Sequence, residues 1–265
     1  MKRILSQDNP FGYTPKGLAF ELMRDLSKPC YHLDYGTYNG AFVGALKRAN
    51  LVDAALGIDV NAEVVTAHRK DMPAAVKLRV IKKNAPLEFA PGTFDSISIL
   101  GVVEHVHDQV RLLSQLEKAL KADGTILIAV PGQHLLSGLD MGNFKFRFTR
   151  IHRWVYTARH SREEYHQRYV ECRNGLFGDI EVEKMWHEHF SLESMNALLH
   201  KVGLRVTDVD GQGFFQRFLV NAAYFVGGRK GLMGRLIDTD ARRFASSELV
   251  FLVKKMKPSA SAVAL

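Results

Sequence analysis

The chain has 265 residues, of which 46% are hydrophobic and 24% are charged, and these values exclude a wholly disordered protein. Its two cysteines exclude a disulfide scaffold and a cysteine-rich zinc site, and they predict a reducing, cytoplasmic environment. The polar residues after position 5 predict that no signal peptide is present. No stretch reaches the roughly 20 apolar residues that are needed to span a bilayer.

The net charge of +8 is unevenly distributed. Residues 145–173 carry eight Lys and Arg against three Glu, and residues 213–257 carry nine against three acidic residues. The rest of the chain is net negative. This pattern predicts a local anionic partner and argues against a protein that is coated with basic charge.

The first half of the chain alternates between predicted helices and strands. Residues 14–26 are predicted to form a helix, with Pro15 in its first turn. The predicted strands that follow cover residues 30–34, 56–60, 76–82, 94–100 and 124–130. One predicted helix follows the first strand and ends at about residue 50, and two more cover 61–72 and 112–120. Five alternating strands predict a mostly parallel sheet with helices on both faces. The functional residues of such a sheet are expected just after its strands.

The second half is less regular. Residues 132–188 form an insertion that is rich in aromatic and basic residues. A helix is predicted over 191–202 with Ser191 as its N-cap, and two further strands are predicted over 204–209 and 248–253. The 38 residues between these strands are too many for a tight hairpin. Residues 258–265 are expected to fray as a tail, and residues 1–29 to form an N-terminal helical segment.

A glycine loop follows the first predicted strand and carries the strongest functional signal. Asp34 ends the strand, and Gly36 and Gly40 come before the next helix. Glycine lets a backbone turn sharply and pass close to a ligand, and a helix N-terminus directs free N–H groups at that ligand. The alternative is a plain turn between a strand and a helix.

A second carboxylate, Asp59, ends the next predicted strand, 25 residues after Asp34. A carboxylate at this place accepts two hydrogen bonds from a ribose diol in nucleotide-binding folds. The alternative is that Asp59 caps the helix that starts near Asn61, because Asp is a common N-cap.

These motifs, in this order, resemble the class I S-adenosylmethionine-dependent methyltransferases, specifically the small-molecule branch, from about residue 31 to residue 209. Further matching segments are Phe94-Asp95, 100–106, 116–124, His189-Phe190-Ser191 and 198–204. The resemblance implies a doubly wound, mostly parallel, seven-stranded Rossmann-like sheet over residues 30–257. It also implies a helical acceptor cap at about 132–188 and a basic and apolar insertion at about 211–246.

The resemblance also implies which residues hold the cofactor, S-adenosylmethionine. Asp34, Gly36 and Gly40 would hold its methionine part, and Asp59 would bind the ribose. The remaining assignments are Val60 against the adenine, Asn84 and Ala85 at the adenine edge, and Gly101 and Val102 near the sulfonium. The chain departs from the family at Tyr38, where glycine is frequent, and at Asn84, where many members carry an acidic residue.

Histidines near the predicted reacting centre are candidates for a general base, since the unperturbed pKa of histidine is about 6.5. His105 follows the fourth strand, and His189 precedes the late helix; we take these two as the catalytic candidates. The alternative is that they are surface or capping residues. His107 and His187 lie beside them, but no cysteine pair or helical His-Glu-x-x-His motif accompanies these histidines, so no metal site is predicted.

The two basic segments are candidates for binding the acceptor. Arginines among aromatic residues in the cap suit a phosphate with an apolar or ring-bearing body, and they also suit single-stranded nucleic acid. The alternative is a cap whose aromatic residues form its core. The second segment, with apolar residues beside a basic amphipathic stretch, resembles a membrane-surface contact. A dimer interface or packing on the domain are the alternatives.

Together these observations predict a methyltransferase that acts at an oxygen of a small or lipid-linked acceptor, such as a sugar or a cell-surface precursor. It would be cytoplasmic, with peripheral contact at the inner membrane face. An RNA methyltransferase ranks lower, because no recognisable RNA-binding module accompanies the domain. A nicotinamide-dependent oxidoreductase is disfavoured by the glycine spacing, and a binding protein without turnover stays open. The oligomeric state also stays open.

Overall fold

The computed structural model describes residues 5–28, 30–83, 85–135, 137, 147–171, 188–225, 231–244 and 246–256. The strands are β1 (Tyr31–Tyr35), β2 (Ala54–Asp59), β3 (Val76–Val80), β4 (Phe94–Leu100), β5 (Leu120–Pro131), β6 (Leu204–Gln212) and β7 (Glu248–Lys255). The α-helices in these residues are α1 (Pro15–Asp25), α2 (Ala41–Arg48), α3 (Ala62–His68), α4 (Gln109–Ala119), α5 (Thr149–Thr157), α6 (Arg162–Tyr169), α7 (Leu192–His200), α8 (Gln216–Phe225) and α9 (Leu232–Arg243). Single-turn 3-10 helices cover Arg69–Asp71 and Val103–His105.

Within the described residues, seven strands form one sheet in the order β3-β2-β1-β4-β5-β7-β6. The first five strands pair in parallel, and β7 is antiparallel to both β5 and β6. The predicted doubly wound, mostly parallel, seven-stranded sheet is therefore confirmed. The strand order reverses between β1 and β4, and ligands bind such sheets beyond the carboxyl ends of the strands at this point.

A hydrophobic core covers each face of the sheet. Alternate residues of β5 point to opposite faces: Ile126 and Ile128 belong to one core, and Leu127 and Ala129 to the other. Helices α4 and α7 cover the first face, and α1 and α2 cover the second. Both faces of β5 are buried over residues 126–130, which explains why the sequence of this part of the strand is continuously apolar and not alternating.

Side-chain caps account for several helix ends. The N-cap of α7 is Ser191, as predicted, and Ser191 and Ser194 form a reciprocal capping box. Helix α4 begins three residues earlier than predicted, because the side chain of Asp108 accepts a hydrogen bond from the Arg111 N–H. Strand β5 also begins earlier, at Leu120, because Leu120 pairs with Phe94 across a bulge.

The long connection between β6 and β7 contains the helix pair α8–α9. The carboxylate of Asp240, on α9, accepts hydrogen bonds from the backbone N–H groups of Phe214 and Phe215 at 3.0–3.1 Å. These N–H groups precede α8, so one buried carboxylate joins the two helices at the N-terminus of α8. Gln212 and Pro131 both pair with Glu248, so α8 starts at the edge of the sheet where β5 ends.

Part of the predicted cap is described, and it consists of α5 and α6. His152, Tyr156 and Tyr165 are buried against one another, with ring centroids 5.7–6.2 Å apart. For Tyr156 and Tyr165, the alternative reading of the cap aromatics as core residues is therefore correct. Trp154, in contrast, is 72% exposed.

No helix in the described part of the chain is long and apolar enough to cross a membrane. The predicted tail at 258–265 lies outside the described residues.

Candidate functional site

The glycine loop connects β1 to α2 at the carboxyl edge of the sheet. Gly36, Tyr38 and Gly40 all have positive φ angles, of 80°, 54° and 72°. A Cβ atom placed on Gly36 would also collide with the Cγ2 methyl of Val102, in the turn after β4. Position 36 therefore needs glycine for two reasons, its backbone conformation and the close approach of Val102.

Strand β2 holds the loop in place through three hydrogen bonds. The N–H groups of Gly36 and Thr37 donate to the carbonyl oxygen of Ile58 at 2.9 and 3.0 Å. The N–H of Tyr38 donates to Asp59 Oδ2 at 2.7 Å. The ends of two neighbouring strands thus determine the path of the loop. Tyr38, where glycine is frequent in the resembling family, adopts a left-handed conformation here.

Asp59 has acceptor capacity beyond its contacts with the protein. Its Oδ1 atom accepts a hydrogen bond from the Asn61 N–H at 2.9 Å, and its Oδ2 accepts the bond from Tyr38. Each carboxylate oxygen has a further lone pair, and the residue is only partly buried. The N-cap of α3 is Asn61, whose side chain accepts from the Val64 N–H, so the alternative role of Asp59 as the helix cap is wrong.

Asp34 differs from Asp59 because it is almost fully enclosed, with 3% of its surface exposed. Burial raises the pKa of its carboxyl group above the ordinary value. The hydrogen bond that Ser98 Oγ donates to Asp34 Oδ1, at 2.5 Å, opposes this shift because it stabilises the charged form. The nearby positive charge of Lys16 also lowers the pKa of Asp34, and the negative charge of Asp59 raises it.

A buried histidine that sequence reasoning missed lies behind Asp34. The Nδ1 atom of His32 is 2.7 Å from Ser96 Oγ, and its Nε2 atom is 3.0 Å from Ser98 Oγ. His32 is completely buried, and burial lowers its pKa to about 3. The imidazole is therefore neutral at physiological pH. His32 falls on a strand in the sequence, but its two partners become visible only once β1 and β4 are paired.

The remaining residues predicted to contact a cofactor lie along the same edge. Val60 directly follows β2 and is 50% exposed, and Ala85 follows β3 and is partly exposed. Gly101, with a φ of 72°, donates from its N–H to the Ala129 carbonyl and starts the turn that carries Val102. Asn84 lies outside the described residues. The structure thus brings the glycine loop, Asp59, Val60 and Val102 together at one edge.

His105 lies at the end of the single-turn helix that follows β4. Its side chain is 29% exposed, and its Nε2 is 3.9 Å from Oε1 of Glu104, which is buried. His107 is exposed.

His189 lies in a segment that is fastened to the end of β5. The neighbouring Phe190 donates from its N–H to Pro131 O and accepts from Gln133 N–H, both at 2.8 Å. Gln109, which sequence reasoning missed, bridges this segment to the His105 turn: its Nε2 donates to Val103 O at 3.0 Å and to Glu188 Oε2 at 2.7 Å. The side chain of Gln109 thus connects the segment that contains His105 to the segment that contains His189. His187 lies outside the described residues.

In the part of the chain that the structure describes, no group of three or more His, Cys, Asp or Glu side chains is arranged to hold a metal ion.

Comparison with known families gives a match that covers most of the chain. A family model described as "Methyltransferase domain" matches residues 15–209. A ubiquinone biosynthesis O-methyltransferase from Methylococcus capsulatus is 28% identical over 143 residues. That alignment covers 46% of this chain and 60% of the relative, so the match is limited to part of each protein.

Solved structures match over nearly the whole chain. A Haloferax volcanii protein in complex with the Trm112 methyltransferase activator has a TM-score of 0.57 at 15% identity, covering 91% of this chain and 89% of that chain. The Burkholderia thailandensis 1,6-didemethyltoxoflavin-N1-methyltransferase, solved with its substrate and S-adenosylhomocysteine, has a TM-score of 0.54 at 12% identity, covering 92% and 80%. The [4+2]-cyclase SpnF has a TM-score of 0.55 at 13% identity, covering 91% and 82%. At these identities the similarity shows the fold and does not assign the chemistry.

The buried His32 makes a testable contribution to stability. Its pKa is about 3 when folded and about 6.5 when unfolded, so between these pH values only the unfolded chain takes up the proton. The stability from His32 is fully present above pH 6.5 and is lost as the pH falls toward 3. The free energy of unfolding of wild type, minus that of His32→Gln, should fall by about 1.4 kcal/mol per pH unit between pH 6 and pH 4. Urea unfolding at several pH values measures this difference, and a constant difference would show that His32 is not buried in its neutral form. The residues around His32 are the same in wild type and in His32→Gln, so the difference between the two proteins reports on His32; these residues are Ser96, Ser98, Asp34 and Phe42.

Proposed function

Since the chain belongs to the methyltransferase-domain family, we propose that it transfers a methyl group from S-adenosylmethionine to an oxygen of a small or lipid-linked, anionic acceptor. The observation that carries the cofactor assignment is the arrangement at the carboxyl edge of β1 and β2. There a glycine loop with three left-handed residues lies between a buried carboxylate, Asp34, and a partly exposed one, Asp59. Support for oxygen comes from the M. capsulatus relative, which is an O-methyltransferase.

The residues at this edge fit the cofactor. Asp59 has a spare lone pair on each carboxylate oxygen, which suits the two hydroxyl groups of a ribose. The half-exposed Val60 would offer an apolar surface to the adenine, and Ala85 would lie at the adenine edge. Asn84 is assigned to the same edge from the sequence alone. Gly36 and Gly40 would leave space for the methionine part of the cofactor, and Asp34 would attract its ammonium group. Gly101 and Val102 would line the path near the sulfonium.

The chain's own contribution to the chemistry is alignment and proton removal. When bound, the cofactor supplies an electrophilic methyl group on a good leaving group. The protein therefore mainly has to hold the acceptor oxygen in line with that methyl group and exclude water. We assign His105 as the general base, because it lies after β4 beside the buried Glu104, which would stabilise the imidazolium that forms. His189, in the segment bridged by Gln109, is the second candidate.

The acceptor side is assigned from the helix pair α8–α9, which starts at the same edge of the sheet. Its exposed apolar residues are Phe215, Phe218, Leu232, Leu236 and Phe244. Arg235, Arg242 and Arg243 are exposed on α9. Large apolar side chains beside arginines suit the surface of an anionic bilayer, where a lipid-linked acceptor is found. Arg229 and Lys230, in the same basic segment, lie outside the described residues.

The cofactor assignment predicts a selective effect of Asp59→Ala. S-Adenosylhomocysteine should raise the melting temperature of wild type, and NAD should not; a ligand at a hundredfold excess over its Kd stabilises the native state by about 2.7 kcal/mol. Loss of the two hydrogen bonds to the ribose should weaken S-adenosylhomocysteine binding about tenfold or more in titration calorimetry. Asp53→Ala, which removes a surface carboxylate that pairs with Lys28, is the matched control and should bind normally. Stabilisation by NAD alone, or unchanged affinity in Asp59→Ala, would contradict the assignment.

The assignment of the base predicts that His105→Ala lowers the rate of methyl transfer about 10²–10⁴-fold, while the affinity for S-adenosylhomocysteine changes little. Incorporation of label from tritiated S-adenosylmethionine into lipid and small-molecule fractions of a cell extract measures the rate. His107→Ala, at an exposed histidine two residues away, is the control. Near-normal labelling by His105→Ala together with a loss in His189→Ala would transfer the role to His189. Labelling of RNA instead of the other fractions would favour the RNA methyltransferase.

The proposed membrane contact predicts binding to anionic phosphatidylglycerol vesicles at low salt and weak binding to neutral phosphatidylcholine vesicles. Each arginine near an anionic bilayer contributes about 1 kcal/mol, so the double variant Arg235→Gln/Arg243→Gln should bind more than about tenfold more weakly. The matched control is Arg69→Gln/Lys70→Gln, which removes two exposed charges from the 3-10 turn after α3 and should bind like wild type. Equal losses in both double variants, or no vesicle binding by wild type, would contradict the contact.

A further inference from the structure

Four polar side chains form a continuous buried chain between β1 and β4. Strand register places His32 opposite Ser96 and Asp34 opposite Ser98. The chain runs from Ser96 Oγ to His32 Nδ1 at 2.7 Å, from His32 Nε2 to Ser98 Oγ at 3.0 Å, and from Ser98 Oγ to Asp34 Oδ1 at 2.5 Å. All four residues are at most 3% exposed, so water does not compete for these hydrogen bonds.

The hydrogen bonds among these four side chains have only two complete arrangements, and these differ in which group of each pair is the donor. A neutral imidazole has one N–H donor and one acceptor nitrogen, so its two hydrogen bonds point in the same direction along the chain. If Asp34 is ionised, Ser98 must donate to it, and Ser98 then accepts from a protonated Nε2. Nδ1 is then the acceptor, and Ser96 donates to it. If Asp34 is protonated, Ser98 is free to donate to His32, and the whole chain reverses.

The donor-to-acceptor direction of these hydrogen bonds is therefore linked to the charge of Asp34. The arrangement with the proton on Nε2 directs every hydroxyl and N–H dipole toward the carboxylate, and hydrogen-bonded chains of this kind strengthen each donor in turn. This matters because burial disfavours the charged form of Asp34. When Nε2 of His32 is protonated, it occupies the acceptor side of the Ser98 hydroxyl. Ser98 then cannot donate to His32, and its proton is directed to Asp34.

We infer that His32 and Ser98 are positioning residues for the cofactor: acting through Asp34, they keep a buried carboxylate ionised and oriented toward the ammonium group of the methionine part. This inference rests on the proposed function, since it needs a ligand with an ammonium group at this edge. In the proposed binding mode, the four hydrogen-bonded side chains would contact no part of the adenosine. Their effect must therefore be confined to ligands that carry the aminocarboxypropyl group.

Two ligands separate this role from a merely structural one. S-Adenosylhomocysteine has the amino acid moiety, and 5′-methylthioadenosine has the same adenosine and sulfur but lacks the ammonium group. The measured quantity is the ratio of their dissociation constants for each variant, from titration calorimetry. A structural defect would weaken both ligands and leave the ratio unchanged.

Ser98→Ala should weaken S-adenosylhomocysteine about tenfold and change methylthioadenosine less than about twofold, since a hydrogen bond to a charged group is lost. His32→Leu should weaken S-adenosylhomocysteine by a smaller factor, about threefold to fivefold. His32→Gln should restore most of the affinity, because its amide N–H can replace Nε2–H as the donor to Ser98. Ser247→Ala, at a fully buried serine of the β6–β7 end, is the matched control and should leave the ratio unchanged.

A second measurement needs no variant and tests the proton arrangement directly. Nitrogen-15 NMR of the histidine side chains in wild type should show His32 protonated on Nε2 and not on Nδ1. The opposite tautomer, or equal weakening of both ligands by Ser98→Ala and His32→Leu, would overturn the inference. If wild type binds neither ligand, the proposed function itself fails, and this outcome is distinct from binding without discrimination.

Discussion

A carboxylate buried at the centre of a parallel sheet is the constraint on which the site depends. Asp34 lies where the strand order reverses, and removal from water opposes its charge. The neighbouring strand supplies the compensation, because register brings Ser98 opposite Asp34 and Ser96 opposite His32. The pairing of β1 with β4 thus sets both the architecture of the sheet and the chemical state of its central acid.

The glycine loop is determined by the strands on either side of β1. Three N–H groups of the loop are bonded to the end of β2, and the turn after β4 approaches so closely that Gly36 has no room for a side chain. The same Asp59 that holds Tyr38 keeps acceptor capacity for a ligand. In the proposed site, one carboxylate would therefore couple the loop conformation to ligand binding. Its bond to the Tyr38 N–H helps the chain to tolerate a left-handed Tyr38 where a glycine would be easier.

Local patterns predicted the fold and the position of the strand-end acids. Asp34 and Asp59 were predictable because apolar runs define where strands end, and Ser191 because it precedes an amphipathic helix. The caps were ambiguous: Asp59 and Asn61 are both good N-caps, and only the structure assigns the role to Asn61. The serine partners of His32 and the Glu188 partner of Gln109 were not predictable. They lie 64, 66 and 79 residues away and depend on strand register and tertiary packing.

In the proposed site, the ends of β1, β2 and β4 would hold the cofactor, and the histidine segments and the helix pair α8–α9 would hold the acceptor. The central claim is that the edge formed by β1, β2 and the turn after β4 binds S-adenosylmethionine. A crystal structure of the chain with S-adenosylhomocysteine tests it most directly. The account predicts both ribose hydroxyls within about 3.2 Å of the Asp59 carboxylate, and the ammonium group on the Asp34 side of the glycine loop. A ligand bound elsewhere, or a ribose without contact to Asp59, would contradict it.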